Sequence, residues 1–319
     1  MSASKTAVTP RRREDRKVLV EAGKTAAKPR GHRDDRKVAW LFLAPVLVGF
    51  ALFYAYPTVL GVYYSLTDYG LLTAPNLIGA ENYRDLVEDD KFWNALKVTG
   101  YYVVLNIVSQ TVLALALATL MHRLTQSVAV RAMLLVPWLV PNVTVGLLWM
   151  WMLDANIGFV NHVLRAVGLG TTGFLTSPTW AMPTIAGINT WAYTGYTALL
   201  LYAGMLQIPR YLYESASLDG AGEWRMFTRI TLPLLRPVLA LVLVVSLIGS
   251  FQIFDTVAVT IKNTPAGVTR VIYYYIYEQA FTNFRMGYAS AIAVVLALLL
   301  GVLTVVQMRL LRASRSDLA

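Results

Sequence analysis

The chain has 319 residues, of which 56% are apolar, only 14% are charged and none is cysteine. Soluble domains carry roughly 25% charged residues, so this composition excludes an ordinary soluble protein. The lack of cysteine excludes disulfides, thiolate catalysis and Cys-ligated metal.

The net charge of +10 is concentrated at one end, where residues 1–37 hold twelve Lys/Arg against five Asp/Glu. A basic block directly before an apolar run reads as a cytoplasmic extension held near anionic headgroups rather than as a nucleic-acid-binding arm. Pro10, Gly23, Pro29 and Gly31 among few large apolar residues predict disorder. The uncharged run from Val38 to Thr67 far exceeds the apolar region of a cleaved signal, about 7–15 residues. It predicts a retained first span.

Uncharged stretches of about 18 or more residues cross a ~30 Å hydrocarbon layer as helix. Six are present, within 38–66, 98–121, 132–153, 183–206, 237–257 and 286–308. The fold class expected is all-α and polytopic: a disordered tail over 1–37, a six-helix membrane domain over 38–312 and a short cytoplasmic tail over 313–319. Pro45, Pro57, Pro137 and Pro141 fall inside or at the ends of these runs, where neighbouring helices can satisfy the freed backbone groups. With the N-terminus cytoplasmic, the inner segments carry 21 Lys/Arg and the outer segments 7. Both termini are therefore expected inside.

The first outer segment, 68–97, is acidic, with Asp68, Glu81, Asp85, Glu88, Asp89 and Asp90. Its phrase Leu77-Ile78-Gly79-Ala80-Glu81-Asn82-Tyr83 reads as a structured turn. The aromatic run Tyr273-Tyr274-Tyr275-Ile276-Tyr277 fits an interfacial belt; a stacking surface at the mouth of a sugar path is the other reading.

The longest expected inner loop, 207–236, is the most informative. Pro209, Leu212, Ala216 and Asp219 open a short helix that Gly220 can end or turn. Glu223-Trp224-Arg225-Met226-Phe227 begins a second amphipathic helix, which Pro233 is expected to stop. The alternative is an interfacial helix lying on the inner leaflet. The loop reads Glu214-Ser215-Ala216-Ser217-Leu218-Asp219-Gly220, then nine residues, then Ile230-Thr231-Leu232-Pro233. This resembles the EAA loop of ABC importer permeases in every spacing, with Ser215 in place of the first alanine.

The resemblance implies a coupling surface for an ATP-hydrolysing subunit, formed by Glu214, Ala216, Asp219, Gly220, Ile230, Leu232 and Pro233, with Glu214 as its charged contact. The sequence has no Gly-x-x-x-x-Gly-Lys-Ser/Thr phosphate loop. The chain is thus expected to be non-enzymatic and without cofactor, ATP and magnesium being bound by a partner. The partners implied are a second permease subunit, two ATP-binding subunits and an extracytoplasmic sugar-binding protein, with no nucleic acid. The localisation implied is the bacterial inner membrane.

Three further phrases resemble sugar permeases of the maltose and glycerol-phosphate type: Ser250-Phe251-Gln252-Ile253-Phe254-Asp255-Thr256, Tyr274-Tyr275-Ile276-Tyr277-Glu278-Gln279-Ala280-Phe281 and Met286-Gly287-Tyr288-Ala289-Ser290-Ala291. Leu43-Ala44-Pro45, Tyr56-Pro57 and Ser65-Leu66-Thr67 resemble the first span of that group. Lys262-Asn263-Thr264-Pro265 departs from its usual Gly-Gly-Pro turn.

Sugars need hydrogen-bonding side chains and flat apolar faces. The fifth run supplies Ser246, Ser250, Gln252 and Asp255 amid Phe251 and Phe254, and polar groups in spans usually face the bundle interior or a water-filled path. Ser246, Ser250, Gln252, Phe254, Asp255 and Tyr193 are the candidate substrate path. Asp255 has two readings, path or outer interface. Asn189, Trp191, Tyr193 and Tyr196 fit either the path or helix–helix hydrogen bonding. Two other classes are disfavoured. A membrane-embedded enzyme lacks paired metal spacing among His32, His122 and His162, placed in loops or the tail, and an ion-driven transporter would rest on Asp255 alone. Within the ABC class the alternative solute is glycerol phosphate or a polyamine.

Overall fold

The computed structural model describes residues 32–124, 127–265 and 267–310. The expected tail over 313–319 and most of that over 1–37 lie outside them. Helix α1, His32–Phe50, begins before the expected boundary at residue 38. Among the described residues the structure is mostly helical; a bridge between Thr67 and Leu77 pairs two extended positions.

The chain divides into two compact units, Met1–Val59 and Leu60–Ala319. In the first, α1 passes through a π turn, Ala51–Ala55, into α2, Tyr56–Tyr64. The Tyr56 N–H reaches back five residues to Ala51 O, one position before Pro57. The wider turn accommodates a ring that lacks an N–H and would otherwise strike the preceding turn.

After α2 comes a tied-down connection. Ile78 and Gly79 donate to Leu66 O, Gly79 takes φ +66, and Asn82 donates to both Ser65 O and Thr67 O. The turn read from residues 77–83 is therefore ordered, and it launches α3, Glu81–Glu88. Helix α4, Asp90–Leu124, is 35 residues long and starts well before the expected run at 98. Then come α5, Val128–Leu139, α6, Asn142–Met152, α7, Phe159–Ala166, and α8, Ala181–Met205. His122 and His162 thus lie in helices rather than in loops.

Beyond α8 stand α9, Arg210–Leu218, α10, Glu223–Met226, a π turn Phe227–Thr231, and α11, Leu232–Leu234. Helices α12, Arg236–Phe251, and α13, Asp255–Thr260, follow. The last are α14, Ile272–Tyr277, and α15, Met286–Leu310.

Four helical stretches are long and apolar enough to cross a membrane: Val38–Tyr64, Asp90–Leu124, Arg236–Thr260 and Met286–Leu310. Among the described residues the bent pair α5–α6 brings the number to five if it is counted as one broken span. Helix α8 has the length, at 25 residues, but carries Asn189, Thr190, Thr194 and Thr197 on faces that the rest of the fold buries.

Three expectations are corrected. The third run is not one straight helix: α5 and α6 meet at 90°. Val140, which precedes Pro141, is extended at φ −80, ψ 133, as the residue before proline prefers. The fifth run is interrupted at residues 252–254, with Phe254 at φ −139, ψ −58. Pro233 stops nothing. Leu232 donates to Phe227 O five residues back, Leu235 donates to Thr231 O, and Leu239 to Leu235 O, so helix continues into α12. As at Pro57, a π turn directly precedes the proline and relieves it.

Small residues let these helices approach closely. Ala114 and Ala118 of α4 and Ala198 of α8 are fully buried in one shared core with Leu201 and Met205. A second core joins Tyr102 of α4 to Ile185 of α8, Val257 of α13, Ile272 of α14 and Ile292 of α15.

Candidate functional site

Polar side chains in apolar helices are costly unless paired, and here they converge. Asn106 of α4 donates through Nδ2 to Ser250 Oγ of α12 at 3.0 Å, and its Oδ1 accepts from Thr190 of α8 at 3.4 Å. Gln110, one turn along α4, donates to Thr197 Oγ1 at 2.7 Å. Ser109 and Thr190 share a further hydrogen bond of 2.7 Å. Three helices are thus joined by amides and hydroxyls without a charge among them.

Beside this network lies a cavity of about 290 Å³. From α4 it is lined by Tyr102, Asn106 and Gln110, from the α5–α6 bend by Trp138 and Asn142, and from α8 by Asn189, Tyr193, Tyr196 and Thr197. The interrupted helix supplies Ser246, Ser250, Gln252, Phe254 and Asp255. Trp138 and Tyr196 stack with centroids 4.6 Å apart, a flat apolar wall. The break supplies a second: freed from helical geometry, Phe254 stands 5.2 Å from the Tyr277 ring and 6.1 Å from that of Tyr274.

All six residues expected on the substrate path, Ser246, Ser250, Gln252, Phe254, Asp255 and Tyr193, lie on this one cavity. Asp255 accepts from Asn142 Nδ2 at 3.2 Å, and Asn142 Oδ1 accepts from the Tyr193 hydroxyl at 3.0 Å. Asn189 and Tyr196 share the wall. Trp191 does not: it sits edge-on to Trp149 and faces a separate apolar groove with Pro137 and Gly195. A second, largely apolar cavity of about 440 Å³ adjoins the first through Gln252 and Phe254 and is lined by Tyr273, Tyr277 and Phe281. Tyr273 and Tyr277 of the aromatic run thus line a cavity that adjoins the first.

Sequence reasoning missed Tyr102, Asn106, Gln110, Trp138, Asn142 and Thr197. Asn106 and Gln110 carry a readable signal, two amides four residues apart in an uncharged run and hence on one helix face. Trp138 and Asn142 carry none, because only the 90° bend aims them inward.

A separate surface is formed at α9–α10. Pro209 precedes α9, which ends at Leu218; Gly220 then takes φ +74, and Ala221 donates back to Ala216 O at 2.9 Å. A left-handed residue here turns the chain sharply. Glu214 and Asp219 are exposed, Ala216 is half-buried, and Leu218 and Trp224 stand exposed at 89% and 76%. Ile230, Leu232 and Pro233 are half-buried at the foot of α12. The bend is held to the bundle by a hydrogen bond of 2.9 Å between Tyr213 and Thr231 and by an ion pair between Arg123 and Glu223. Among the described residues no cluster of His, Asp or Glu could hold a metal ion.

The family described as binding-protein-dependent transport system inner membrane component matches residues 110–316. The sulfoquinovosyl glycerol transport system permease protein SmoG of Agrobacterium fabrum is 33% identical over 87% of this chain and 91% of its own length. The trehalose/maltose transport system permease protein MalF of Thermococcus litoralis is 30% identical over 88% and 96%. Among solved structures, a bacterial alginate ABC transporter in complex with an alginate pentasaccharide-bound periplasmic protein has a chain that superposes with TM-score 0.75 at 27% identity, over 89% of this chain and 98% of that one.

Proposed function

Because the chain belongs to the family of inner-membrane components of binding-protein-dependent transport systems, we propose that it is the sugar-conducting permease subunit of an ABC importer. The observation that carries this is the cavity at the interrupted helix, where amides and hydroxyls converge with aromatic faces. That is what a polyhydroxylated ring with one apolar face requires. Relatives named for lactose and for trehalose and maltose point the same way.

In this reading the membrane is crossed six times, with α8 added to the five apolar crossings. Its 25 residues reach about 38 Å, which exceeds the hydrocarbon thickness, and burial among its neighbours removes the need for an apolar surface. Both termini are cytoplasmic, on the 21 Lys/Arg that the segments of that side carry, tails included, against 7 on the other. The α9–α10 bend is then the coupling element. Glu214 supplies its charged contact to a separate ATPase, Ala216, Asp219 and Gly220 shape the turn, and Ile230, Leu232 and Pro233 connect it to α12.

The assembly comprises a second permease subunit, two ATP-binding subunits and an extracytoplasmic sugar-binding protein. Closure of the ATPases moves the two permeases as near-rigid bodies and exposes the cavity to each face in turn. ATP and magnesium reside on the ATPases and this chain holds no cofactor. The test is uptake of radiolabelled saccharides into sealed vesicles carrying the co-expressed system. ATP-dependent uptake that requires the ATPase subunits is expected, and uptake that proceeds without them would sink the assignment.

A further inference from the structure

Two interruptions of helix, far apart in the chain, deliver their first helical residues to the same cavity. Asn142 opens α6 beyond the bend at Val140 and Pro141, and Asp255 opens α13 beyond the break at Phe254. Their contact is fixed from behind. Tyr193 donates its hydroxyl to Asn142 Oδ1 at 3.0 Å, so the amide presents its NH2 to Asp255 Oδ2 at 3.2 Å. Among the described residues Asn142 is the hydrogen-bond donor to this carboxylate. Asp255 is itself a lining residue of the cavity.

The charge complement is one-sided. Among the described residues lining this cavity and the aromatic one beside it there is a single carboxylate and no Lys, Arg or His. A saccharide carrying a uronate, phosphate or sulfonate would leave bulk water for a confined site where this chain's lining offers no cation to pair with, a costly transfer. It would also meet repulsion from Asp255, which grows as water is displaced. A sugar bearing hydroxyls alone loses nothing of this kind: it can donate to the Asp255 carboxylate and lay an apolar face against Phe254 or Trp138.

On the reading that this cavity is the sugar path, we infer that Asp255 acts as a charge filter, so that the path accepts uncharged saccharides and rejects anionic ones. Asp255 is the specificity-determining group and Asn142 and Tyr193 are its positioning residues. This selects among the solutes that the fold allows, since the solved neighbour imports alginate, an acidic polysaccharide.

The test is direct binding to the assembled complex of this chain with its permease and ATPase partners, in nanodiscs without the binding protein. Maltotriose, cellotriose and galactotriose are each compared by equilibrium dialysis with the same trisaccharide oxidised at C6 to the uronate. For every pair that binds, the neutral member is expected to be at least about tenfold tighter. Asp255→Asn should reduce that margin to about twofold or less, and Ser246→Lys, which adds a cation to the same wall, should reverse it. Copurification of the partner chains with each variant checks assembly. Uronates that bind the unaltered complex as tightly as their neutral partners overturn the charge filter, as does a margin that both variants leave unchanged. If no trisaccharide binds, neutral or charged, the sugar path itself is overturned instead.

Discussion

Asn106 on α4 donates to Ser250 on α12 at 3.0 Å, at the level where α12 approaches its interruption. Both side chains are buried, and the same amide also donates to Gln110 at 3.3 Å and accepts from Thr190. A group with this many partners costs more to remove than to keep, because the survivors are left buried and unpaired, at about 1–3 kcal/mol each. Asn106→Leu is expected to lower the thermal midpoint of the assembled complex by more than Ser250→Ala does. A double-mutant cycle on the two should give a coupling of about 0.6 kcal/mol, ordinary for hydrogen bonds between membrane helices. Strict additivity would show that the pair is incidental.

Gly195 is fixed by a neighbour rather than by its own backbone. A Cβ built there would overlap the Leu134 carbonyl oxygen, where α5 crosses α8. Gly287 is in the same position against Thr67 O. Backbone atoms cannot swing aside, so Gly195→Ala must push α5 from α8 and Gly287→Ala must push α15 from the connection at Thr67, at a typical cost of about 1–3 kcal/mol. Gly187 on the same helix as Gly195 has nothing within 4 Å. The expected order by thermal unfolding and partner copurification is Gly187→Ala near unaltered protein, with both others clearly weaker. Equal behaviour of all three would remove the close-approach argument.

Legibility in the sequence followed local chemistry and failed where geometry is collective. Long uncharged runs announce α4 and α15, and the spacing from Glu214 to Gly220 announces a turn that φ +74 at Gly220 realises. Polar residues in the fifth run announce a cavity wall. The bend at Pro141 is different. Proline signals a break but not its angle, and the 90° turn depends on α5 lying across α8 at Gly195. Pro233 misled for a related reason: proline destroys one hydrogen bond, and whether a helix ends or merely widens depends on the turn before it. The π turn Phe227–Thr231 supplies that answer.

Asp89 ties α3 to the far part of the chain. Its Oδ2 accepts from the Tyr288 hydroxyl at 2.6 Å and also from that of Tyr275. Burial opposes ionisation of this carboxyl, but the two phenols and the Lys91 and Phe92 N–H groups outweigh it and hold it below its ordinary value of 3.8. A depressed carboxyl contributes stability that is present above the unfolded value and lost as pH falls through the folded one. Thermal stability of the complex should therefore fall as pH drops below 3.8, and Asp89→Asn should flatten that part of the profile. An unchanged slope in the variant would assign the acid sensitivity to other groups.

The coupling role proposed for Glu214 is separable from folding because the residue is exposed. Reversing its charge should leave insertion and association with the second permease intact while removing the attraction to a complementary ATPase surface. Glu214→Lys is expected to abolish ATP-dependent uptake with the chain still present in membranes at unaltered level. Gly220 tests the same element through shape. At φ +74 a side chain is strained by about 1 kcal/mol or more, yet open space surrounds the position. Gly220→Val should thus reduce uptake and ATPase association without unfolding the bundle, to a lesser degree than the charge reversal. Normal uptake by Glu214→Lys would mean that the exposed apolar residues, Leu218 and Trp224, dock without it and that the charged contact is dispensable.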